Sequence, residues 1–180
     1  MAARCVAFLR AINVTHRFVK MEQLAAHVRA LGFEPVQTYI QSGNLLLSGS
    51  ARQAARIEQR LTAELAPLLG FVSEAFVRTE TELHAIAQRC VALSSGLPEA
   101  GEVNVCFLRE PLLEAQREIV DTLASDIDGF VCEGRELYWV CQQRQNSSRF
   151  SAAVLERKLK QRTTLRRGRM LAAWSDQLRA

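Results

Sequence analysis

Nine basic residues crowd the stretch between Gln142 and Met170, and Glu156 is the one acid among them. Arg144, Arg149, Arg157 and Lys158 come first, then Lys160, Arg162, Arg166, Arg167 and Arg169. The chain of 180 residues carries a net charge of only +4, so the remainder is net negative and the positive charge is concentrated. Guanidinium groups grip phosphate and carboxylate with two parallel hydrogen bonds. A cluster of them points to phosphate or nucleic acid as the partner. Lys158 and Lys160 have a second explanation, because they fall in the last turn of a predicted helix, where the dipole favours cations. Arg169 stands at a predicted helix start, where a cation is unfavourable, and that placement suggests an external anion. The expected contacts are Arg144, Arg149, Lys160 and Arg162, together with Arg166, Arg167 and Arg169.

A second constellation lies near the N-terminus. Arg10 and Asn13 leave the end of an apolar strand, and Gln41-Ser42-Gly43-Asn44 forms the polar tip of a hairpin. Gly43 adopts positive φ without steric cost, and Ser42 and Asn44 can bond their own backbone, so a structural role is preferred for the tip. Gln41 fits that role less well, and its amide is expected to reach Arg10 or Asn13. The alternative is a second anion site built from Arg10, Asn13, Gln41, Ser42 and Asn44, in which Arg10 clamps a phosphate or carboxylate.

Catalysis has thin support. The sequence has no P-loop, GxSxG, HExxH or GxGxxG pattern. His16 is the best general-base candidate, and no catalytic residue is assigned. His16, His27 and His84 have no ligand-like spacing to each other or to cysteine, so neither a metal nor a cofactor is expected.

Hydrophobic residues make up 48% of the chain and charged residues 23%, the balance of a globular protein with a substantial core. No apolar run approaches the ~20 residues that span a bilayer. The apolar stretch from Cys5 to Leu9 is too short for a signal peptide. Cys5, Cys90, Cys106, Cys132 and Cys141 are odd in number and contain no CxxC pair. Four of them lie in strand-like runs, where a thiol behaves as a small apolar residue. A reduced, cytoplasmic setting is expected.

The elements that position these residues are readable in outline. Cys5 to Arg10 reads as a strand. Met21, Leu24, Val28 and Leu31 mark one helical face, which Gly32 ends. Strands follow at Pro35 to Ile40 and at Asn44 to Ser48. Ser50 and Gln53 form a capping box for a helix bearing Ile57, Leu61, Leu65 and Leu68, with Pro67 and Gly70 at its end. Phe71 to Arg78 returns as a strand. This order is the split βαβ of a ferredoxin-like plait.

Thr79 and Glu82 form another capping box, opening a helix with Leu83, Ile86 and Cys90 on one face. The chain breaks at 94–98. Val103 to Leu108 is a strand, and Pro111 opens a helix with Leu112, Ile119 and Leu123. Gly129 to Cys132 and Leu137 to Cys141 form a hairpin. A helix from Ser151 to Lys160, a short edge strand at 163–165 and a helix from Arg169 to Leu178 complete the chain. The fold class is therefore α+β, two tandem ferredoxin-like plaits of βαββαβ order plus a C-terminal helix. The N-terminal plait spans 1–79. A linker helix, the second plait-like domain and the basic segment span 80–180. The halves share topology without an evident sequence repeat. RNA-binding plaits stack bases on strand aromatics. Here Asn44 to Ser48 has none, while Tyr138 and Trp139 are adjacent and must point to opposite faces. Core packing of both is the expected outcome, the alternative being one ring exposed for stacking.

"FLRAINVTHRFVKMEQLAAHVRALGF" followed by "VQTYIQSGNLLLSG" resembles the bacterial domain-of-unknown-function family numbered 1697. The matching positions include Leu9, Arg10, Ile12, Asn13, Thr38, Tyr39, Gln41, Ser42, Gly43 and Asn44, and further on Tyr138, Thr164 and Arg166. The resemblance implies the two-plait fold, and it adds Thr164 to the candidate binding residues. It implies no activity. The departures are Ala11 in place of Gly, Thr15-His16 in place of a Gly pair, and Arg167-Gly168-Arg169 in place of an Asn-Trp-Asn stretch.

Three functions fit this reading. The leading one is a binding module for nucleic acid or a phosphorylated ligand, acting through the basic segment. The second is an enzyme acting on a small anionic metabolite in the cleft between the plaits. The third is a scaffold whose basic face docks an acidic protein. No membrane partner is expected.

Overall fold

A strand, a helix with one apolar face, a hairpin, a second helix and a returning strand occur twice in succession in the computed structural model, which describes residues 3–14 and 16–180. Met1, Ala2 and Thr15 lie outside the described residues, and with them the start of the N-terminal stretch and half of the Thr15-His16 departure. The first round is β1 (Arg4–Leu9), α1 (Met21–Ala30), β2 (Val36–Tyr39), β3 (Asn44–Ser48), α2 (Ala51–Leu69) and β4 (Ala75–Thr79), followed by α3 (Glu80–Ser94). The second is β5 (Glu102–Phe107), α4 (Glu114–Asp121), β6 (Asp128–Glu133), β7 (Glu136–Cys141), α5 (Ala152–Leu159) and β8 (Thr164–Arg167), followed by α6 (Gly168–Arg179). A 3₁₀ turn at Gln145–Ser147 joins β7 to α5. The described residues thus hold six α-helices and two antiparallel four-stranded sheets, ordered β2-β3-β1-β4 and β6-β7-β5-β8. The chain divides into two compact units, Met1–Leu83 and His84–Ala180, with the boundary inside α3. No helix among the described residues is long and apolar enough to cross a membrane.

Local signals account for most boundaries. Gly32 and Gly70 both take positive φ just past a helix end, at 84° and 75°, and the Gly70 N–H closes on the Ala66 carbonyl at 3.0 Å. Ser50 N donates to Gln53 Oε1 at 2.9 Å. Thr79 N donates to Glu82 Oε2 at 2.6 Å, while Glu82 N donates back to Thr79 Oγ1 at 3.1 Å. Each capping box satisfies donors that a helix start leaves open. Pro67 is accommodated within the last turn of α2 rather than ending it. The expected start of α4 at Pro111 is corrected: the helix begins at Glu114, with Gln116 Oε1 accepting from Leu113 N at 3.0 Å. Leu112 packs ahead of the helix and Leu123 beyond it.

In the first unit one sheet face carries Ala7, Leu9, Leu45, Leu47 and Val77 into a core with Leu24, Val28, Ile57, Leu61 and Leu65. In the second, Cys106, Leu137, Trp139 and Cys141 meet Val120, Phe150, Leu155 and Leu159. Both Tyr138 and Trp139 are buried, so neither ring is a stacking platform. The Trp139 Nε1–H donates to Asp128 Oδ1 at 2.7 Å, which satisfies the indole inside the core.

Strand register brings out a short sequence match between the halves. Val6 pairs with Leu46 on one side and Arg78 on the other, and Val105 pairs with Tyr138 and Arg166 in the same way. Superposed on these pairings, Val6-Ala7-Phe8-Leu9-Arg10 falls on Val105-Cys106-Phe107-Leu108-Arg109, identical but for Ala7 and Cys106. The hairpins agree. Leu9 N donates to the Gly43 carbonyl at 2.8 Å, and Leu108 N to the Arg135 carbonyl at 2.8 Å. Arg78 and Arg166 are both buried, and each donates from Nη1 to the carbonyl of the residue before it.

Candidate functional site

β8 distributes its side chains by the two-residue period of a strand. Thr164 and Arg166 turn to one face and are buried, whereas Leu165 and Arg167 turn to the other. Arg166 donates to Thr164 Oγ1 at 2.9 Å and to the Leu165 carbonyl at 2.9 Å, and burial pushes its guanidinium pKa down to about 10. Arg166 and Thr164 therefore bond to each other and are buried rather than exposed, which corrects both assignments.

Arg167 is exposed and precedes α6, and Arg169 stands in the first turn of that helix. The placement expected for Arg169 is the one observed, a cation where the dipole disfavours it. Arg144 reaches the same cleft from beyond β7, whose end, like Arg167, lies beside the start of β5. It precedes the 3₁₀ turn, whose flanks are firmly held. Gln145 N donates to Glu102 Oε1 at 2.8 Å, Ser148 Oγ donates to Asp128 Oδ2 at 2.8 Å, and the Phe150 ring lies 4.7 Å from that of Trp139. The cleft encloses about 950 Å³, and its walls include Glu99, Glu102, Arg144, Ser151, Arg167 and Arg169. Ser151 caps α5, its Oγ accepting from Val154 N at 3.3 Å. The N-terminal ends of α5 and α6 thus both contribute to one cleft, and each such end carries partial positive charge.

The rest of the basic run goes elsewhere. Arg149 lines a separate cavity of about 510 Å³ that it shares with Asp126 and Asp128. Arg162 lies 3.6 Å from Glu156. Lys160 occupies the left-handed position at the end of α5, with φ 52°. Of the seven expected basic contacts, Arg144, Arg167 and Arg169 are brought together. Glu99 and Glu102 were missed by sequence reasoning, lying more than forty residues upstream of Arg144.

The hairpin tip is tied together by its own side chains. Asn44 Nδ2 donates to the Tyr39 carbonyl at 3.1 Å and to Ser42 Oγ at 2.8 Å. Gly43 has φ 71°, and a Cβ there would lie 2.8 Å from Ile12 Cβ, so only glycine allows this approach. The expected link between Gln41 and Asn13 exists with its roles reversed: the Asn13 amide donates to the Gln41 backbone carbonyl at 3.1 Å. Asn13 Oδ1 also accepts from Val19 N at 2.8 Å. Arg10 is fixed through its backbone, N to the Glu74 carbonyl at 2.8 Å and O from Ser73 Oγ at 2.7 Å. Asn13 and Gln41 share a cavity of about 720 Å³ with Phe18 and Lys20. His16 is exposed in the preceding loop.

Residues 2–138 match the family model described as a protein of unknown function, DUF1697. The chain belongs to this family. The solved structure of the conserved bacterial protein SP0830 from Streptococcus pneumoniae is similar over 100% of both chains, with a TM-score of 0.72 and 20% identity. That likeness is one of fold. No curated protein matches. The DUF1697 match contains the TYIQSGN hairpin and ends before Arg144, Arg167 and Arg169.

Proposed function

We propose that this DUF1697 chain consists of two tandem ferredoxin-like plaits and that the second binds an anionic ligand in the cleft of Arg144, Arg167 and Arg169. The strand orders β2-β3-β1-β4 and β6-β7-β5-β8, with two helices threaded between the strands of each, support the plait reading. One observation carries the binding reading. Three exposed guanidinium groups converge where two helices begin, one of them placed against the dipole of its own helix. A cation in such a place costs stability unless an anion answers it. The free thiols favour a reducing compartment, and the cytoplasm is the proposed location.

Calorimetric titration with inorganic phosphate and pyrophosphate tests the reading. Binding should weaken between about 50 and 200 mM salt, as screening of exposed charges requires. It should also be lost in the Arg167→Ala/Arg169→Ala variant while the thermal unfolding transition stays in place. Absence of binding at low salt, or binding indifferent to both substitutions, would remove the cleft as the site.

A further inference from the structure

We infer that the cleft of the second unit takes a small phosphate monoester rich in hydroxyl groups, with the phosphate on Arg144, Arg167 and Arg169 and the hydroxyls on Glu99 and Glu102. This rests on the anion-binding reading above and names the class of ligand.

The charge pattern selects the class. The cleft holds three guanidinium groups and two carboxylates. A carboxylate accepts hydrogen bonds and donates none, so Glu99 and Glu102 call for a ligand that brings donors. A nucleic-acid strand brings further phosphates, which the same carboxylates repel. A monoester places its one dianion on the arginines and leaves neutral hydroxyls for the acids. Glu102 is held in place by Gln145 N at 2.8 Å, so ordering it on binding costs little. A volume near 950 Å³ suits a small organic ligand.

Three of the remaining basic residues argue against a strand for a separate reason. Arg166 is buried, Arg162 lies 3.6 Å from Glu156, and Arg149 shares its cavity with Asp126 and Asp128. They do not extend the cleft into a basic track.

Asn104 lies beside the cleft without lining it. Its side chain is fully buried, and neither atom of its amide has a hydrogen-bond partner among the described residues. It is the direct cross-strand neighbour of Arg167 and shares its sheet face. Leaving such a group unpaired carries the desolvation penalty of the amide uncompensated.

The test is calorimetry with ribose 5-phosphate, ribose, inorganic phosphate and a short single-stranded RNA. Ribose 5-phosphate should bind about tenfold or more tighter than inorganic phosphate, the equivalent of 1.4 kcal/mol, and ribose should not bind. Glu99→Gln/Glu102→Gln should erase that advantage while inorganic phosphate still binds, and Arg167→Ala/Arg169→Ala should remove both. Arg144→Gln provides a second arginine variant, and thermal unfolding verifies the fold of each. Equal affinities for phosphate and ribose 5-phosphate, unmoved by the glutamate variant, would overturn the inference. RNA binding tighter than ribose 5-phosphate, and lost with the arginines, would overturn the monoester while leaving the anion cleft. No binding of any anion would overturn both.

Discussion

Helices α3 and α6 each follow the last strand of their unit at matching positions, yet their first turns carry opposite charge. α3 opens with Thr79, Glu80 and Glu82, and it is closed locally: Thr79 and Glu82 cap each other, and Glu80 Oε2 accepts from Arg4 Nε at 2.6 Å. α6 opens with Arg167, Gly168 and Arg169, has no acid in its first turn, and receives no side-chain cap from Arg167. Gly168 lets this end press onto the sheet, since a Cβ there would meet the Val103 carbonyl at 2.9 Å and Cys90 Cβ at 3.0 Å. The backbone pattern is repeated and the electrostatics are not. The lesson is that function in a repeated fold is best sought where the two copies disagree.

Alkali should separate the two units most strongly. Burial raises the thiol of Cys5 to about 11, and those of Cys90 and Cys106 to about 12, from an ordinary 9.0. The folded chain keeps these protons above pH 9 while the unfolded chain loses them. Their contribution is therefore intact below pH 9 and drains away as pH rises towards 12. Each tenfold difference in proton affinity between the folded and unfolded chain is worth about 1.4 kcal/mol, so the loss by pH 11 amounts to several kcal/mol, most of it in the second unit. Trp139 and Trp174 both lie there, so the urea midpoint followed by tryptophan fluorescence should be level to about pH 8.5 and then fall. The Cys90→Ala/Cys106→Ala variant should flatten that fall more than Cys5→Ala does. A midpoint level to pH 11 would dispose of the argument.

The hairpin tips come next. Gly43→Val should cost about 3 kcal/mol, combining left-handed strain with overpacking against Ile12. Arg135→Ala, at the matching position, should cost less than about 1 kcal/mol in urea unfolding. Equal costs would mean that the tips are not equivalent. Third, Arg167→Ala/Arg169→Ala should lower phosphate affinity by about 100-fold, roughly 2.7 kcal/mol, with stability nearly unchanged. Glu82→Ala should do the reverse, costing about 1 kcal/mol of stability and no affinity. The smallest effect concerns Asn104, whose counterpart by register is Cys5. Asn104→Cys should raise stability by about 1 kcal/mol, because it removes an unpaired buried amide. A destabilised variant would show that the amide has a partner in solution.

Much of this fold was legible because its signals are local. Gly32, Gly70 and the two capping boxes each act within four residues, and all four stand where they were expected. The start of α4 was misjudged because the apolar Leu113, rather than a polar residue, occupies its cap. The repeat escaped notice because it is five residues long and becomes visible through pairing partners forty to seventy residues away. For the candidate site, sequence proximity overstated the cluster. Arg166 and Arg167 are neighbours in the chain but leave opposite faces of β8, a division that strand periodicity alone foretells. Glu99, Glu102 and Asn104 carried no signal of their own, since their meaning comes from which strands and loops adjoin.

The duplicated strand code also bears on how the chain reaches its native state. β1 and β5 offer nearly the same row of side chains, so during refolding each central strand has a wrong set of partners available whose register would fit. Cys5 and Asn104, matched by position, distinguish the two. A swap would carry an amide into the place of a thiol that bonds the Gly49 carbonyl at 3.3 Å. It would also set Trp139 beside a strand lacking its usual neighbour. The residue that costs the second unit stability thereby penalises the mispaired chain, and sorting of the two strands is written into the places where their rows differ in polarity, Cys5 against Asn104 and Arg4 against Val103.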